Sequence, residues 1–120
     1  MRSLAFGVLA SSVTFPEVSG GALSSDATYY YRTFTANGTF SVSLLPLTID
    51  AIVVAGGGGA GRSSDTASGG GGAGGLVAIS SQTLAGTFNI VVGAGGACGP
   101  SSNTDGSKGV DSSFNGTTAV

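Results

Sequence analysis

The sequence predicts an all-β fold: a β-sandwich or jelly-roll-like domain with glycine-rich, polyproline-II-like loops and an extended N-terminal arm. Three observations lead to this prediction. Apolar and polar residues alternate with a period of two, as at Phe40, Val42 and Leu44, and this period is typical of strands. No segment shows the 3.6-residue period of an amphipathic helix. Two apolar runs, Ile52–Val54 and Ile90–Val92, lead directly into clusters of glycine.

The composition favours one folded domain over a disordered chain. Of the 120 residues, 41% are hydrophobic, 8% are charged and 23 are glycine. Low charge indicates disorder only where apolar content is also low, so material for a core is present. The net charge of −2, with four scattered basic residues, argues against nucleic acid as a partner, since phosphate requires a basic surface. No stretch approaches the ~18 apolar residues of a membrane span.

Residues 1–28 are expected to form an anchoring arm followed by a linker. The arm, residues 1–15, contains an apolar run from Leu4 to Ala10, and residues 16–28 are small and polar. One interpretation is a secretory signal, because an arginine precedes the apolar run and Ala10–Ser12 offers small residues for cleavage. The other is an extended arm that docks onto a neighbouring subunit. In that case the anchoring side chains are Leu4, Phe6, Val8, Leu9, Val13 and Phe15.

Residues 29–120 are expected to form the β domain, beginning with a hairpin. The aromatic run Tyr29–Thr35 and the alternating run Thr39–Leu44 flank Asn37-Gly38, and Asn-Gly favours the type I′ turn of a hairpin. Its tyrosines fit alternating core and surface positions, or alternatively a sugar-stacking platform. Leu45-Pro46-Leu47 is expected to break the second strand.

Four further strands are predicted after this hairpin. Thr48–Ala55 is nearly continuous in apolar residues, which indicates a central strand covered on both faces. Leu76–Ile79, Gly86–Val92 and the short Ser112–Asn115 follow. The chain stops soon after Asn115-Gly116 without an evident closing strand, which leaves open that it is part of a longer polypeptide.

The glycine tracts admit three interpretations. A phosphate-binding loop requires a helix to open directly afterwards, and after Gly56–Gly61 come polar residues and more glycine. A flexible linker remains open, although the tracts lie between strands. We favour a packed structure, in which segments without Cβ atoms lie side by side in extended or polyproline-II conformation and share backbone hydrogen bonds.

The residue inventory argues against catalysis. The chain has no His and one Cys, so it offers no Ser–His or Cys–His nucleophile and no histidine metal site. Asp50, alone in an apolar strand, fits an edge or turn-capping role. Residues 103–111 lack the acidic density and closing Glu of an EF-hand loop. We expect a non-enzymatic protein without cofactor or metal, in which Cys98 is a small side chain or, alternatively, forms an interchain bridge.

Five motifs follow one another in this domain, and together they suggest a family. They are Gly38-Thr-Phe-Ser-Val42, Val53 to Gly59, Gly74-Gly75-Leu76, Leu84 to Gly96, and Gly109 to Phe114. In this order, from about Tyr29 onward, the chain resembles the glycine-rich domain of bacteriophage tail, tail-fibre and other virion appendage proteins. That family carries no catalytic residues to transfer.

The resemblance implies a structural virion protein on the outer surface or tail of a phage particle. Such a tail-fibre or appendage component would be anchored to other virion proteins by its N-terminal arm. It would form a homo-oligomer, with a trimer favoured, and a glycan or protein of the host surface is a further expected contact. The alternatives are a capsid decoration or head-fibre protein and, in another class, a secreted extracellular adhesin or matrix protein of bacteria.

Overall fold

The structure, a computed structural model, describes residues 13–64 and 68–120, and this part contains seven strands and no helix. The strands are β1 (Glu17–Ser19), β2 (Ala22–Ser25), β3 (Tyr30–Thr33), β4 (Gly38–Val54), β5 (Leu76–Val91), β6 (Ser112–Phe114) and β7 (Thr117–Ala119). One antiparallel sheet has the order β1-β4-β5-β6-β7, and β2 and β3 form a second, two-stranded sheet. The all-β prediction is confirmed, while the finer jelly-roll expectation stays a prediction.

The long ribbon of β4 and β5 folds back on itself. The end of β5, at Ile90 and Val91, pairs with β6, and β6 pairs with β7. Directly after β7, the Val120 carbonyl accepts a hydrogen bond at 2.8 Å from Gly75, the residue before β5. A straight strand as long as β5 would separate its two ends by ~50 Å. The ribbon therefore bends until both ends of β5 meet the β6–β7 hairpin.

The main irregularity of the ribbon lies near its middle. Val42 pairs with Gly86, and the next pair is Leu47 with Leu84, so β4 contains three more residues than β5 across this interval. Leu44 has a φ of 68° and Gly86 a φ of 104°. Such left-handed conformations change the direction of a strand sharply. We assign the bend to this point.

A smaller bulge follows, and Asp50 stabilises it. Ile49 pairs with Gln82 and Ala51 with Ile79, which leaves one extra residue in β5. The bulge contains Ser81, whose φ is 53° and whose backbone N–H donates a hydrogen bond of 2.8 Å to Asp50 Oδ1. The structural role expected for this carboxylate is confirmed: it caps a bulge.

The core lies between the two arms of the folded ribbon. The Phe114 ring packs edge-on against Phe40 and Phe88, with ring centroids 6.0 and 6.1 Å away. Leu44 is 69% exposed, because the alternation of β4 is interrupted where it bends. The buried apolar residues come from both arms and from the last hairpin: Phe40, Val42, Val53, Ala55, Leu84, Phe114 and Ala119.

The predicted Asn37-Gly38 hairpin is wrong. β3 pairs with β2, whereas β4 pairs with β1 and β5, and neither Asn37 nor Gly38 has a positive φ. The Asn37 side chain instead accepts a hydrogen bond of 2.8 Å from the backbone N–H of Val92. The type I′ hairpin turn occurs at Asn115 and Gly116, with φ values of 46° and 78°, and β7 is the closing strand that the sequence did not indicate.

Three further expectations differ from the structure. The expected linker, residues 16–28, contains β1 and β2, which at three and four residues are too short to show an apolar period. The strand expected over Thr48–Ala55 is not covered on both faces, since Ile52 is 69% exposed and Val54 53%. Pro46 does not end a strand, because the chain resumes pairing with β5 at Leu47.

Candidate functional site in the glycine bundle and the tyrosine hairpin

Four glycine-rich tracts meet at the open end of the folded ribbon. The first tract (residues 55–62) follows β4, and the second (68–75) precedes β5. The third (93–99) follows β5, and the fourth (104–110) leads towards β6. Because the bend brings both ends of the ribbon together, all four tracts lie side by side at that end of the molecule. We call their assembly the glycine bundle.

The first and fourth tracts are joined by backbone hydrogen bonds at every third residue. The pairs run antiparallel: Gly56 N–H to Val110 C=O at 3.0 Å, Gly59 N–H to Ser107 C=O at 2.8 Å, and Arg62 N–H to Thr104 C=O at 2.8 Å. A polyproline-II helix has three residues per turn and no internal hydrogen bonds. A spacing of three along both tracts is therefore the spacing expected for two such helices in contact.

The other two sides of the first tract are bonded as well. Towards the second tract, Ala55 and Gly58 donate to the carbonyls of Gly75 and Gly72 at 2.9 and 2.8 Å. Towards the third tract, the carbonyls of Gly57 and Ala60 accept from Gly96 and Gly99 at 2.8 and 2.9 Å. The first tract is thus the centre of the bundle and presents a different row of residues to each neighbour.

Close approach explains why so many of these residues are glycine. At nine positions a Cβ atom would collide with a backbone carbonyl of the neighbouring tract: Gly56, Gly59, Gly71, Gly74, Gly93, Gly96, Gly99, Gly106 and Gly109. These recur at intervals of three within each tract, whereas Gly69, Gly70 and Gly72 face open space. Since none of them has a positive φ, glycine is needed here for its size. The predicted packed arrangement with shared backbone hydrogen bonds is confirmed for the described residues.

A few side chains attach the bundle to the sheet. Asn37 binds Val92 as described above, and the Ser112 hydroxyl accepts a hydrogen bond from the Gly93 N–H at 2.8 Å. Within the bundle, the Ser107 hydroxyl accepts from the Ala97 N–H at 2.7 Å. Nothing in the sequence marked these side chains as partners of the tracts.

The bundle surface offers little reactive chemistry. Cys98 is exposed and free, and Lys108 and Asp111 form an exposed ion pair at 3.7 Å. Within residues 13–64 and 68–120, no three His, Cys, Asp or Glu side chains come together in a way that could hold a metal ion.

The second candidate surface is the tyrosine hairpin, formed by β2, β3 and their connection, residues 22–33. The structure places none of its tyrosines in the core: Tyr29 is 61% exposed, Tyr30 83% and Tyr31 43%. The rings of Tyr29 and Tyr31 lie 6.3 Å apart and are tilted by 56°. The Arg32 guanidinium fixes the hairpin to the main sheet by donating to the Val18 carbonyl at 2.7 Å.

Asp26 orders the tip of this hairpin. Its Oδ1 accepts the backbone N–H groups of Thr28 and Tyr29, each at 2.7 Å, and its Oδ2 accepts the Tyr31 hydroxyl at 2.5 Å. The Tyr31 hydrogen bond, followed by the two backbone bonds, lowers the pKa of Asp26. The same bond raises the pKa of Tyr31. The tip is thus a pre-ordered aromatic surface beside an ionised carboxylate.

Only part of the predicted anchoring arm can be located. Val13 is 64% exposed and Phe15 72%, and both precede β1 on the surface. Leu4, Phe6, Val8 and Leu9 lie outside the described residues. No helix in the described part is long and apolar enough to cross a membrane.

Comparison with known proteins identifies one related group. The family model described as a glycine-rich domain matches residues 34–120. This range includes the long ribbon, all four tracts and the closing hairpin, and it excludes the tyrosine hairpin. No curated protein matches the chain, and no solved structure matches it.

Proposed function

The chain belongs to the glycine-rich domain family, and on this premise we propose that it is a non-enzymatic structural protein of a bacteriophage particle. Its place there would be a tail fibre or another appendage on the outer surface or tail. The phage assignment is supported by the ordered motifs from Gly38 to Phe114, which resemble those of virion appendage proteins.

The observation that supports a structural role best is the glycine bundle. Its tracts are held together by backbone groups, and its glycines are required because the tracts approach so closely. Such an arrangement displays few side chains and is held by regular backbone hydrogen bonds, which suits a spacer or platform. It suits a catalytic site poorly, since catalysis requires positioned side chains with tuned chemistry.

Attachment to the particle is proposed to occur through the N-terminal arm. Val13 and Phe15 are exposed apolar residues next to β1, and a binding surface on other virion proteins would cover them. Large exposed apolar side chains that lie together often mark interaction sites. We further propose that the chain assembles as a homo-oligomer.

Contact with the host surface is proposed to involve the tyrosine hairpin. Three exposed tyrosines on a hairpin that Asp26 and Arg32 hold in place supply broad contact area at low entropic cost, as in other recognition surfaces. The ligand class that fits is a host glycan or protein.

The proposal is tested on particles purified from infected cells. We expect the intact chain, detected by mass spectrometry with its Met1–Ser12 peptide, to co-purify with the particles, and immunogold labelling to mark the tail. Labelling of the head would instead support the capsid decoration or head-fibre alternative. A chain found only in the medium with its leader removed would contradict the proposal and support a secreted adhesin.

A matched pair of variants tests the arm. Phe15→Ser removes an exposed apolar ring, whereas Thr14→Ser alters the neighbouring residue and keeps its hydroxyl. We expect only Phe15→Ser to lower the amount of chain on the particles, with the circular dichroism spectrum of both variants unchanged. Equal incorporation of the two variants would contradict anchoring at Phe15.

A further inference from the structure

The sequence contains two Asn-Gly pairs, Asn37-Gly38 and Asn115-Gly116, and the structure places them in different surroundings. In such a pair the backbone nitrogen of the glycine can attack the side-chain amide of the asparagine with little hindrance, because glycine has no Cβ. Asparagine is accordingly one of the thermolabile residues of proteins. How fast each pair reacts depends on what holds the attacking nitrogen and the amide.

The first pair is held at both reacting groups. The Asn37 Oδ1 accepts the backbone N–H of Val92 at 2.8 Å. Gly38 begins β4 and is paired with Ile90 of β5. The attack on the Asn37 amide therefore requires this end of the ribbon to open first. Such local opening costs free energy and slows any reaction that depends on it.

The second pair is free of such restraints. Phe114 and Thr117 are the last paired residues of the β6–β7 hairpin, so that Asn115 and Gly116 lie outside the ladder, and both are exposed. The Asn115 side chain makes no hydrogen bond with another described residue. A Cβ on Gly116 would meet nothing within 4 Å. The side chain of Asn115 and the peptide group that follows it can therefore rotate towards each other without breaking a contact.

We propose that Asn115 is a site of spontaneous deamidation, with water as the co-reactant. The Gly116 nitrogen loses its proton to hydroxide and bonds to Cγ of Asn115, while the Cγ–Nδ2 bond breaks and the side-chain nitrogen leaves as ammonia. One water molecule then opens the cyclic imide. Cleavage of the new bond gives aspartate. Cleavage of the original peptide bond gives isoaspartate, in which the main chain runs through Cβ and Cγ, and either product adds one negative charge.

The position of the site gives the modification a structural effect. The turn has φ values of 46° at Asn115 and 78° at Gly116, as a type I′ turn requires, and Asp-Gly suits this turn as well as Asn-Gly. Isoaspartate instead adds a methylene group to the backbone, so that the two-residue turn no longer joins Phe114 to Thr117 in register. This hairpin contributes Phe114 and Ala119 to the core. Isoaspartate is therefore expected to loosen the closure of the ribbon.

Mass spectrometry of the full-length chain, incubated at neutral and at mildly alkaline pH, tests the site. Deamidation raises the mass of a peptide by about one dalton, and electron-transfer fragmentation distinguishes isoaspartate from aspartate. We expect the Asn115 peptide to react at least about tenfold faster than the Asn37 peptide, and faster at the higher pH. In urea the two rates should converge.

Three results would overturn the proposal. They are an unmodified Asn115 peptide, equal rates at Asn37 and Asn115 in the folded chain, and a difference between the two that is just as large in urea. The last result would assign the difference to neighbouring residues in the sequence and not to the fold.

Variants at residue 115 test the structural effect. Asn115→Gly cannot deamidate and retains a dipeptide that suits the type I′ turn. The Gly75 amide reports on closure, because it donates to the Val120 carbonyl at 2.8 Å. We expect incubation to speed hydrogen exchange at this amide by about threefold or more in the wild type and to leave it unchanged in Asn115→Gly.

Asn115→Asp, measured without incubation, carries the charge of the product on an unaltered backbone. Its Gly75 exchange rate should match that of the fresh wild type. If it exchanged as fast as the incubated wild type, charge and not isoaspartate would be the cause. An incubated wild type that exchanged no faster than the fresh protein would likewise contradict the loosening of the hairpin.

Discussion

Gly59 donates its backbone N–H to the carbonyl of Ser107 at 2.8 Å, and the two tracts that carry these residues run antiparallel at the centre of the glycine bundle. A methyl group on Gly59 would collide with the carbonyl of Ala97 in the third tract. The hydrogen bond from Gly59 to the fourth tract therefore requires that Gly59 carry no side chain, because the third tract lies too close. Similar close approaches recur through the bundle, so that some of its glycines have no room for a side chain whereas others do.

Gly59→Ala is predicted to destabilise the protein by about 2–4 kcal/mol, because the collision involves backbone atoms that cannot move aside cheaply. Urea denaturation followed by circular dichroism measures the effect. Gly70→Ala is the matched control, since its Cβ would meet nothing within 4 Å. It should leave the free energy of unfolding unchanged or raise it by up to about 1 kcal/mol, because alanine restricts the unfolded chain. Equal losses in the two variants would contradict the packing described here.

Of two adjacent glycines in the second tract, only one is predicted to respond to substitution by alanine. A Cβ on Gly71 would strike the Gly58 carbonyl, whereas a Cβ on Gly72 faces open space. Gly71→Ala should therefore loosen the second tract from the first and speed hydrogen exchange at the Gly58 amide, which binds the Gly72 carbonyl at 2.8 Å. Gly72→Ala should leave this exchange rate nearly unchanged. Similar exchange rates of the Gly58 amide in the two variants would contradict close contacts at every third residue of this tract.

Substitution of Asn37 tests the attachment of the bundle to the sheet. Its Oδ1 accepts the Val92 N–H at 2.8 Å, so that Asn37→Ala should lower the free energy of unfolding by about 0.5–1.5 kcal/mol. Asn37→Asp keeps an acceptor at this position and should recover most of the loss. Thermal denaturation of the three proteins provides the comparison. If Asn37→Asp were as unstable as Asn37→Ala, the hydrogen bond would not be the cause.

The Asp26–Tyr31 bond predicts how the tyrosine hairpin responds to pH. The pKa of Tyr31 is raised by its hydrogen bond to Asp26. The stabilisation that this bond gives the hairpin is therefore present below about pH 10 and is lost as the pH rises through the raised pKa. The pKa of Asp26 is lowered by the same hydrogen bond and by two backbone N–H groups. The stabilisation that the ionised carboxylate gives the hairpin is therefore present above about pH 4 and is lost as the pH falls through the lowered pKa.

NMR titration of the tyrosine rings checks this prediction. Tyr31 should titrate at higher pH in the wild type than in Asp26→Ala, in which its hydroxyl loses the carboxylate partner. Tyr30 serves as an internal control because it makes no hydrogen bond to Asp26. A Tyr31 pKa that does not change in Asp26→Ala would show that the bond does not hold in solution.

Much of the strand content was predictable from local patterns. The alternation at Phe40 and Val42 identified core positions correctly, and the chemistry of glycine favoured packed tracts. The Asn-Gly signal was misleading at residues 37–38, because the Asn37 side chain bonds Val92, 55 residues away. The same dipeptide at residues 115–116 does form the hairpin turn.

The candidate surfaces were less predictable than the strands. Three consecutive tyrosines suggested alternating burial, but all three are exposed on a hairpin that forms its own two-stranded sheet. The position of Ile52 and Val54 at an open edge of the sheet could not be predicted either, because an apolar run is compatible with both a central strand and an edge strand. Which strands lie beside it depends on the bend at Leu44 and Gly86.

The sequence by itself determined that the chain is all-β, that its glycine tracts follow strands, and that it lacks the histidines of common catalytic and metal sites. Those properties follow from residue type and local period. Only the tertiary structure decided that the ribbon folds back, that four tracts meet, and that particular glycines three residues apart cannot carry a side chain. The physical reason is that a glycine-rich segment is equally compatible with an open loop and with a packed extended tract. Which of the two it forms depends on whether the backbone of another tract lies against it.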